Sequence, residues 1–216
     1  MGATQSTAVW DLPTRLVHWA LAILVVAAWL TADGPTMQVH RMIGYVILGL
    51  VVFRLYWGVA GGSTARFSDF LRGPSAVVAH LRGSRPARFG HNPLGALSVV
   101  LLLALLVSQV GLGLFAVDVD GMESGPLARF VSYGAGRQAA EWHELNFRVL
   151  QAAIVLHLLA IAWYAVVKRR NLVGPMITGR DRSPGLEGGL TPAPLWRLAL
   201  GLVLAAGVAV LVAQSG

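Results

Sequence analysis

Cysteine is absent from all 216 residues of the chain. That excludes disulfides, cysteine-ligated zinc, iron–sulfur clusters and the C-x-x-C-H signature of covalently attached haem. Charge is scarce too: 12% of the residues are Asp, Glu, Lys or Arg, against 56% hydrophobic. Soluble domains carry roughly 25% charged residues, so this composition points to a membrane protein. Acidic residues are almost missing from the apolar stretches, which argues against a proton-coupled transporter. The formal net charge is +7. In a soluble protein that excess would suggest nucleic acid. Here the basic residues cluster in loops beside apolar runs, where they read as an orientation signal, and no nucleic-acid partner is expected. A cleavable leader is not evident: the first apolar run follows a polar start with Asp11 and lacks a cleavage site, so it reads as a mature helix.

What is present is five apolar segments, at about residues 12–30, 40–59, 93–117, 139–167 and 194–213. Each approaches the roughly 20 residues that span a hydrocarbon core. Helices are expected because their backbone polar groups are satisfied internally. Asp11 and Pro13 supply helix-start chemistry to the first, and Gly61-Gly62 ends the second. The fold class expected is an all-α membrane protein.

Loop charge then sets topology. Arg66, Arg72, Arg82, Arg85 and Arg88 lie between the second and third segments. Lys168, Arg169, Arg170, Arg180 and Arg182 lie between the fourth and fifth. The first connection has no Lys or Arg before Arg41, and the third is acidic on balance, with Asp118, Asp120, Glu123 and Glu141 against Arg129 and Arg137. The N-terminus is therefore expected in the cytoplasm and the C-terminus in the periplasm of a multi-pass inner-membrane protein. Residues 74–82 suggest a short interfacial helix with Val77, Val78 and Leu81 toward lipid, and Pro184-Gly185 and Gly188-Gly189 a flexible linker.

Ionisable side chains within such spans mark function by default. His143 and His157 lie fourteen positions apart on the fourth segment. On a helix that is roughly 21 Å of rise and nearly four turns, so both rings point the same way, about 40° out of register. His18 on the first segment and His40 on the second complete two pairs by depth. His40 with His143 is expected to hold an outer haem, and His18 with His157 an inner one. Without cysteine, both haems would be b-type and non-covalent. Straight perpendicular helices leave the inner pair several Å out of level, which a tilt of about 20° absorbs in part.

Haem propionates want cations, and arginine offers bidentate contacts. Arg15, one turn from His18, Arg54, fourteen positions after His40, and Arg41 and Arg148 near the outer ligands are the candidates. Arg54 has a second reading, snorkelling to the interface. Gly44 and Gly49 would let a flat macrocycle approach the backbone; Gly95, Gly111 and Gly113 would do the same or serve helix packing. His80 and His91 read as ordinary residues in or beside the basic loop, and Trp19, Trp142 and Trp163 as belt or packing residues rather than electron relays.

Three stretches, VWDLPTRLVHWALAILVVAAWLT, HRMIGYVILGLVVFRLYWG and WHELNFRVLQAAIVLHLLAIAWY, resemble the bacterial cytochrome b561 and nickel–iron-hydrogenase b-type cytochrome family. The resemblance covers about residues 8–180. R-x-x-H-W at Arg15–Trp19, the second-segment histidine and H-x13-H on the fourth are its most specific parts. It implies a four-helix transmembrane di-haem bundle over residues 8–180, with one ligand each on the first and second helices and two on the fourth, which matches His18, His40, His143 and His157. Residues 181–216 are then a linker and an additional transmembrane helix, for which Gly201 and Gly207 offer a packing face toward a homodimer mate or a partner subunit. The resemblance further implies respiratory electron transport between the membrane quinone pool and a redox partner at the outer face: a hydrogenase, a periplasmic cytochrome c, or superoxide in at least one branch.

The expected function is thus electron transfer through two haems between quinone and a periplasmic partner. Two alternatives stay open on sequence alone: a superoxide:quinone oxidoreductase, with a substrate of its own, and a non-redox membrane anchor subunit of a hydrogenase-like complex. No acid or base singles out a quinone site.

Overall fold

The computed structural model describes residues 6–71, 93–181 and 189–216. His80, His91, Arg72, Arg82, Arg85, Arg88, Arg182, the interfacial helix expected at 74–82 and the linker positions Pro184, Gly185 and Gly188 lie outside the described residues.

Asp11 opens α1 (Leu12–Leu30): its carboxylate accepts the Thr14 N–H at 2.9 Å, and Pro13 occupies the first turn, where it costs no hydrogen bond. A tight connection follows, with a 3-10 turn at Gly34–Thr36, and α2 (Met37–Ala60) begins three residues before His40. A one-turn helix, α3 (Phe67–Phe70), precedes α4 (Pro93–Phe115). The 34-residue α5 (Tyr133–Val166) is capped by Ser132, whose hydroxyl accepts the Ala135 N–H at 3.3 Å. Its roughly 51 Å exceed a hydrocarbon core of about 30 Å. It begins six residues before the expected start at 139. Hydropathy marks where a helix enters apolar surroundings, and Ser132 starts this one a turn and a half earlier. A short α6 (Val173–Thr178) follows, then α7 (Leu195–Ala213). A two-residue antiparallel pair, β1 (Thr7–Ala8) with β2 (Arg180–Asp181), ties the N-terminal segment to the chain beyond α5. Five of these helices are long and apolar enough to cross a membrane.

The bundle is two hairpins of helices, α1 with α2 and α4 with α5. The central helix α2 also packs against α4 and, along its other flank, extensively against α7. Helix α5 leans on α4 and packs comparably against neither α1 nor α2. A cleft is left between α5 and the first hairpin. The core follows from this: Val17 and Leu21 of α1, Ile47, Val51, Phe53 and Trp57 of α2, Leu103 of α4 and Ala205 of α7 form one buried cluster. Elsewhere the long helices turn bare Leu, Val and Ile outward, as lipid-facing surfaces do.

The fifth span is joined through small residues four apart, Gly201, Ala205 and Ala209. A Cβ on Gly201 would lie 2.7 Å from the Tyr56 ring and 3.1 Å from Phe53, and the Gly49 site faces the Ala205 carbonyl at 3.4 Å. Such close backbone approach is how membrane helices associate without a hydrophobic driving force. Gly201 therefore serves packing within the chain, whereas Gly207 has open space beside it. Gly49 belongs to this contact as well, so its smallness is used by α7.

Candidate cofactor site

The cleft brings the four span histidines into two pairs. His40, in the first turn of α2, and His143 of α5 face each other across it with ring centroids 6.2 Å apart and planes at 78°. The Nδ1 of His40 is 2.8 Å from the Ala28 carbonyl, and the Nδ1 of His143 is 2.9 Å from the Gln109 carbonyl. A carbonyl only accepts, so both rings carry their proton on Nδ1 and keep the lone pair on Nε2. Fixing the outer nitrogen so that the other can bind metal is the usual arrangement around histidine ligands. A metal–imidazole bond of about 2 Å on each side, plus two ring half-widths, gives a centroid separation of about 6.4 Å, close to the one observed.

The second pair is built differently. His157 of α5 has Nδ1 3.1 Å from the Ser98 hydroxyl of α4. His18 of α1 lies within electrostatic range of His157, and its Nδ1 is buried without a hydrogen-bond partner. Beyond α5 the chain turns back toward α1. Arg169 adopts a left-handed backbone (φ 50°), the Arg170 N–H reaches back to the Tyr164 carbonyl, and α6 returns alongside the first turns of α1.

Beside the outer pair is a cavity of about 420 Å3, within the 300–1,000 Å3 typical of ligand sites. His40, His143, Gly44, Phe147, Leu150 and Asp118 are among its walls; His18 and His157 are not. A Cβ on Gly44 would meet nothing within 4 Å, so the helix backbone is bare to the cavity there. Gly113 does something else: a Cβ would stand 2.9 Å from Cε1 of His143, so this glycine makes room for the imidazole itself. No group of three or more His, Cys, Asp or Glu that could hold a bare ion occurs among the described residues. Two facing imidazoles leave a metal short of ligands unless a macrocycle supplies the equatorial donors. The residues present fit a bis-histidine haem in the outer pair, and His18 and His157 are a second pair of imidazoles within electrostatic range of each other.

The four candidate arginines each have partners within the chain. Arg41 forms an ion pair with Glu123 at 3.2 Å and reaches the Ser124 carbonyl at 3.4 Å; it is the one Lys or Arg on the described cavity wall. Arg148 pairs with Glu144, both largely exposed. Arg15 donates to the Ile177 carbonyl, and Trp19 Nε1 to that of Met176 at 3.2 Å. Within R-x-x-H-W, then, Arg15 and Trp19 clamp the end of α6, while His18 faces the cleft. Arg54 is buried, with Phe67 5.1 Å below its guanidinium and the Ala65 carbonyl at 3.5 Å. Asp11, the cap of α1, lies nearby in electrostatic range and accepts the Trp57 indole N–H at 2.9 Å.

Gln109, Ser98 and Asn146 escaped sequence reasoning. Asn146 bridges α5 to α4, donating to the Gln109 side chain at 2.6 Å and the Leu105 carbonyl at 3.0 Å. The signal was available: Ser98 and Gln109 are, with Ser108, the polar interruptions of an apolar span, and Asn146 sits one turn after His143.

The protein family described as prokaryotic cytochrome b561 matches residues 9–179. Among curated proteins, the chain is similar to three described as probable Ni/Fe-hydrogenase B-type cytochrome subunits. That of Cupriavidus necator is 24% identical over 211 residues, covering 81% of this chain and 86% of the relative. Those of Azotobacter chroococcum and Azotobacter vinelandii are 26% and 25% identical, each covering 79% of this chain and 86% of the relative. No solved structure matches the chain.

Proposed function

The chain belongs to the prokaryotic cytochrome b561 family and is a multi-pass membrane b-type cytochrome, and on that premise we propose that it carries electrons through two haems between the membrane quinone pool and a redox partner at the periplasmic face. The observation that carries the reading is the pair of facing imidazoles, His40 and His143, 6.2 Å apart with their Nδ1 atoms held by main-chain carbonyls. Residues 8–180 form the haem-binding core in this reading, and residues 181–216 a linker and an added span. His40 with His143 binds the outer haem, and His18 with His157 the inner one. Haem held there would supply a one-electron iron couple.

The chain's own residues do the rest. The carbonyls of Ala28 and Gln109 keep the outer imidazoles in one tautomer and orientation. Gly44 admits a flat ligand beside α2, and Gly113 admits the His143 ring. Arg41 is the cation placed to meet an outer propionate, in competition with Glu123; Arg15, Arg54 and Arg148 are the further candidates. The basic residues Arg15, Arg66, Lys168, Arg169, Arg170, Arg180 and Arg197 gather at the end of the bundle that holds β1 and β2, which supports an inner membrane location with that end cytoplasmic and the C-terminus periplasmic. The printed names of the three relatives support a hydrogenase-type partner, and a periplasmic cytochrome c is the other candidate at that face. Gly207 offers the open face on α7 for a homodimer mate or a partner helix. A superoxide funnel is disfavoured, because the cavity wall carries Asp33, Asp118, Glu123 and Glu144 against Arg41 alone.

The test is direct. Protein purified with sufficient haem supply gives about two haems per chain in a pyridine haemochrome assay, and a short-chain quinol reduces them within seconds. One haem or none per chain overturns the di-haem assignment. Intact haems inert to quinols and quinones overturn the quinone role.

A further inference from the structure

Between α4 and α5 the chain forms a small hairpin over residues 116–125. The Gly125 N–H bonds the Ala116 carbonyl at 2.7 Å, that of Asp118 bonds the Glu123 carbonyl at 3.0 Å, and Val117 bridges Ser124. Gly121, at φ 69°, turns the tip. Apolar side chains at a tip are normally few, yet here Val119 is 70% and Met122 84% exposed. The tip is not left loose. Two residues of the first turns of α5 hold it through its backbone: the Tyr133 hydroxyl donates to the Val119 carbonyl at 2.7 Å, and Arg137 to that of Val117 at 2.8 Å. Val119 and Met122 are thus presented outward on a braced support, and such preorganisation lowers the ordering cost of binding.

Charge narrows the occupant. Residues 116–125 contain Asp118, Asp120 and Glu123 and no Lys or Arg. Two of the neighbouring cations sit on the hairpin itself, Arg41 paired with Glu123 and Arg137 bonded to the Val117 carbonyl, and Arg129 lies over the ring of Phe130, so among the described residues Asp118 and Asp120 are the hairpin carboxylates outside an ion pair. An acidic tip is repelled by anionic lipid and attracted to a basic protein surface. Location fixes the purpose. The base of the hairpin, through Val117, Asp118, Glu123 and Ser124, forms part of the wall of the cavity beside His40 and His143. Whatever sits on the tip therefore sits beside that cavity.

We propose that the hairpin over residues 116–125 is the docking finger for a soluble redox protein whose redox centre is ringed by lysines, with Val119 and Met122 as the apolar contact and Asp118 and Asp120 as the steering charges. The proposal rests on the electron-transfer reading above. In the exchange, one electron leaves the reduced cytochrome and converts one ferric partner to ferrous, with no proton transferred.

The experiment mixes the quinol-reduced protein in nanodiscs with a ferric lysine-rich c-type cytochrome in a stopped-flow instrument. Val119→Ser with Met122→Ser lowers the second-order rate about tenfold, and Asp120→Lys lowers it further at low salt and flattens its salt dependence. Haem content and quinol reduction stay as in the parent. Parental rates and salt dependence in these variants overturn the docking role. Because the chain has no cysteine, Met122→Cys gives one thiol for a water-soluble maleimide. The lysine-rich cytochrome protects it from labelling, and an acidic c-type cytochrome does not. Protection by the bilayer itself, unchanged by either protein, overturns the proposal in favour of lipid insertion. If quinol fails to reduce the parent while the thiol is still protected, it is the quinone reading that fails and docking that survives.

Discussion

The outer and inner histidine pairs share the same helix, α5, yet are supported by different chemistry. At the outer pair both Nδ1 atoms meet main-chain carbonyls, Ala28 for His40 and Gln109 for His143, and a cavity opens beside the rings. At the inner pair one Nδ1 meets a rotatable hydroxyl, Ser98, and the other, on His18, has no partner. A backbone carbonyl cannot be mutated away or rotated out, so the outer tautomers are fixed by the fold. The inner tautomers depend on what binds there. One helix can thus present two sites of unequal rigidity, and each of the following changes tests that inequality.

Removal of a ligand has the largest effect. His40→Ala and His143→Ala each lose the outer haem, and His18→Ala and His157→Ala the inner, so haem falls from about two to about one per chain. Reduced spectra and redox titration identify which remains. If the two members of a pair lose different haems, the pairing is wrong.

Next comes the room around the rings. A Cβ at Gly113 would stand 2.9 Å from His143, so Gly113→Val displaces that imidazole and lowers outer-haem occupancy, leaving the inner haem in place. Gly111 has open space, and Gly111→Val leaves both haems intact. Equal loss in the two variants would mean that bulk on α4, rather than the His143 ring, governs the outer site.

A smaller change separates fold from site at the inner end. Asp11 caps α1 and accepts the Trp57 indole N–H. Asp11→Ala removes both contacts and costs about 1–3 kcal/mol, read as a lower unfolding temperature in detergent. The inner haem, next to α1, becomes more open to exogenous ligands, while the outer haem is unchanged. Loss of the outer haem first would show that the two ends are not independent.

Much of this was legible in the sequence, for physical reasons. Spacing on a helix is rigid, so H-x13-H alone puts His143 and His157 on one side of α5 at two depths. Asp11 as a cap is local chemistry. The start of α5 is not legible because residues 133–138, Tyr-Gly-Ala-Gly-Arg-Gln, form no apolar run, and hydropathy measures surroundings rather than conformation. The short α6 and the β1–β2 pair were missed because elements of a few residues have no periodicity. The arginines were chosen by register, which gives a direction but not a partner. Arg15 turned out to clamp α6 through the Ile177 carbonyl, and Arg54 to lie over Phe67. The carbonyls of Ala28 and Gln109 were invisible for the same reason: every residue has a carbonyl, and only packing says which one an imidazole meets.

The smallest effect is expected at Ser98, and it bears most directly on the inequality of the two pairs. A hydroxyl can donate or accept, so the 3.1 Å contact with His157 does not by itself say where the ring proton lies. Ligation decides it. If Nε2 of His157 binds iron, its lone pair is used there, the proton must be on Nδ1, and Ser98 must be the acceptor. Donating that hydrogen bond makes the imidazole a more basic ligand and favours the ferric state. Ser98→Ala removes the acceptor, so the inner haem becomes easier to reduce and its midpoint potential rises. The bond as a whole is worth about 0.5–1.5 kcal/mol, only part of it differing between oxidation states, and a tenfold change is 59 mV for one electron. The shift is therefore a few tens of millivolts, with the outer haem's potential unmoved. A fall in potential, or a shift at the outer haem, would place the proton or the ligand elsewhere. No shift at either haem would mean that the inner imidazole is held by its iron alone, and that the chain builds its second site with no support beyond the ligand itself.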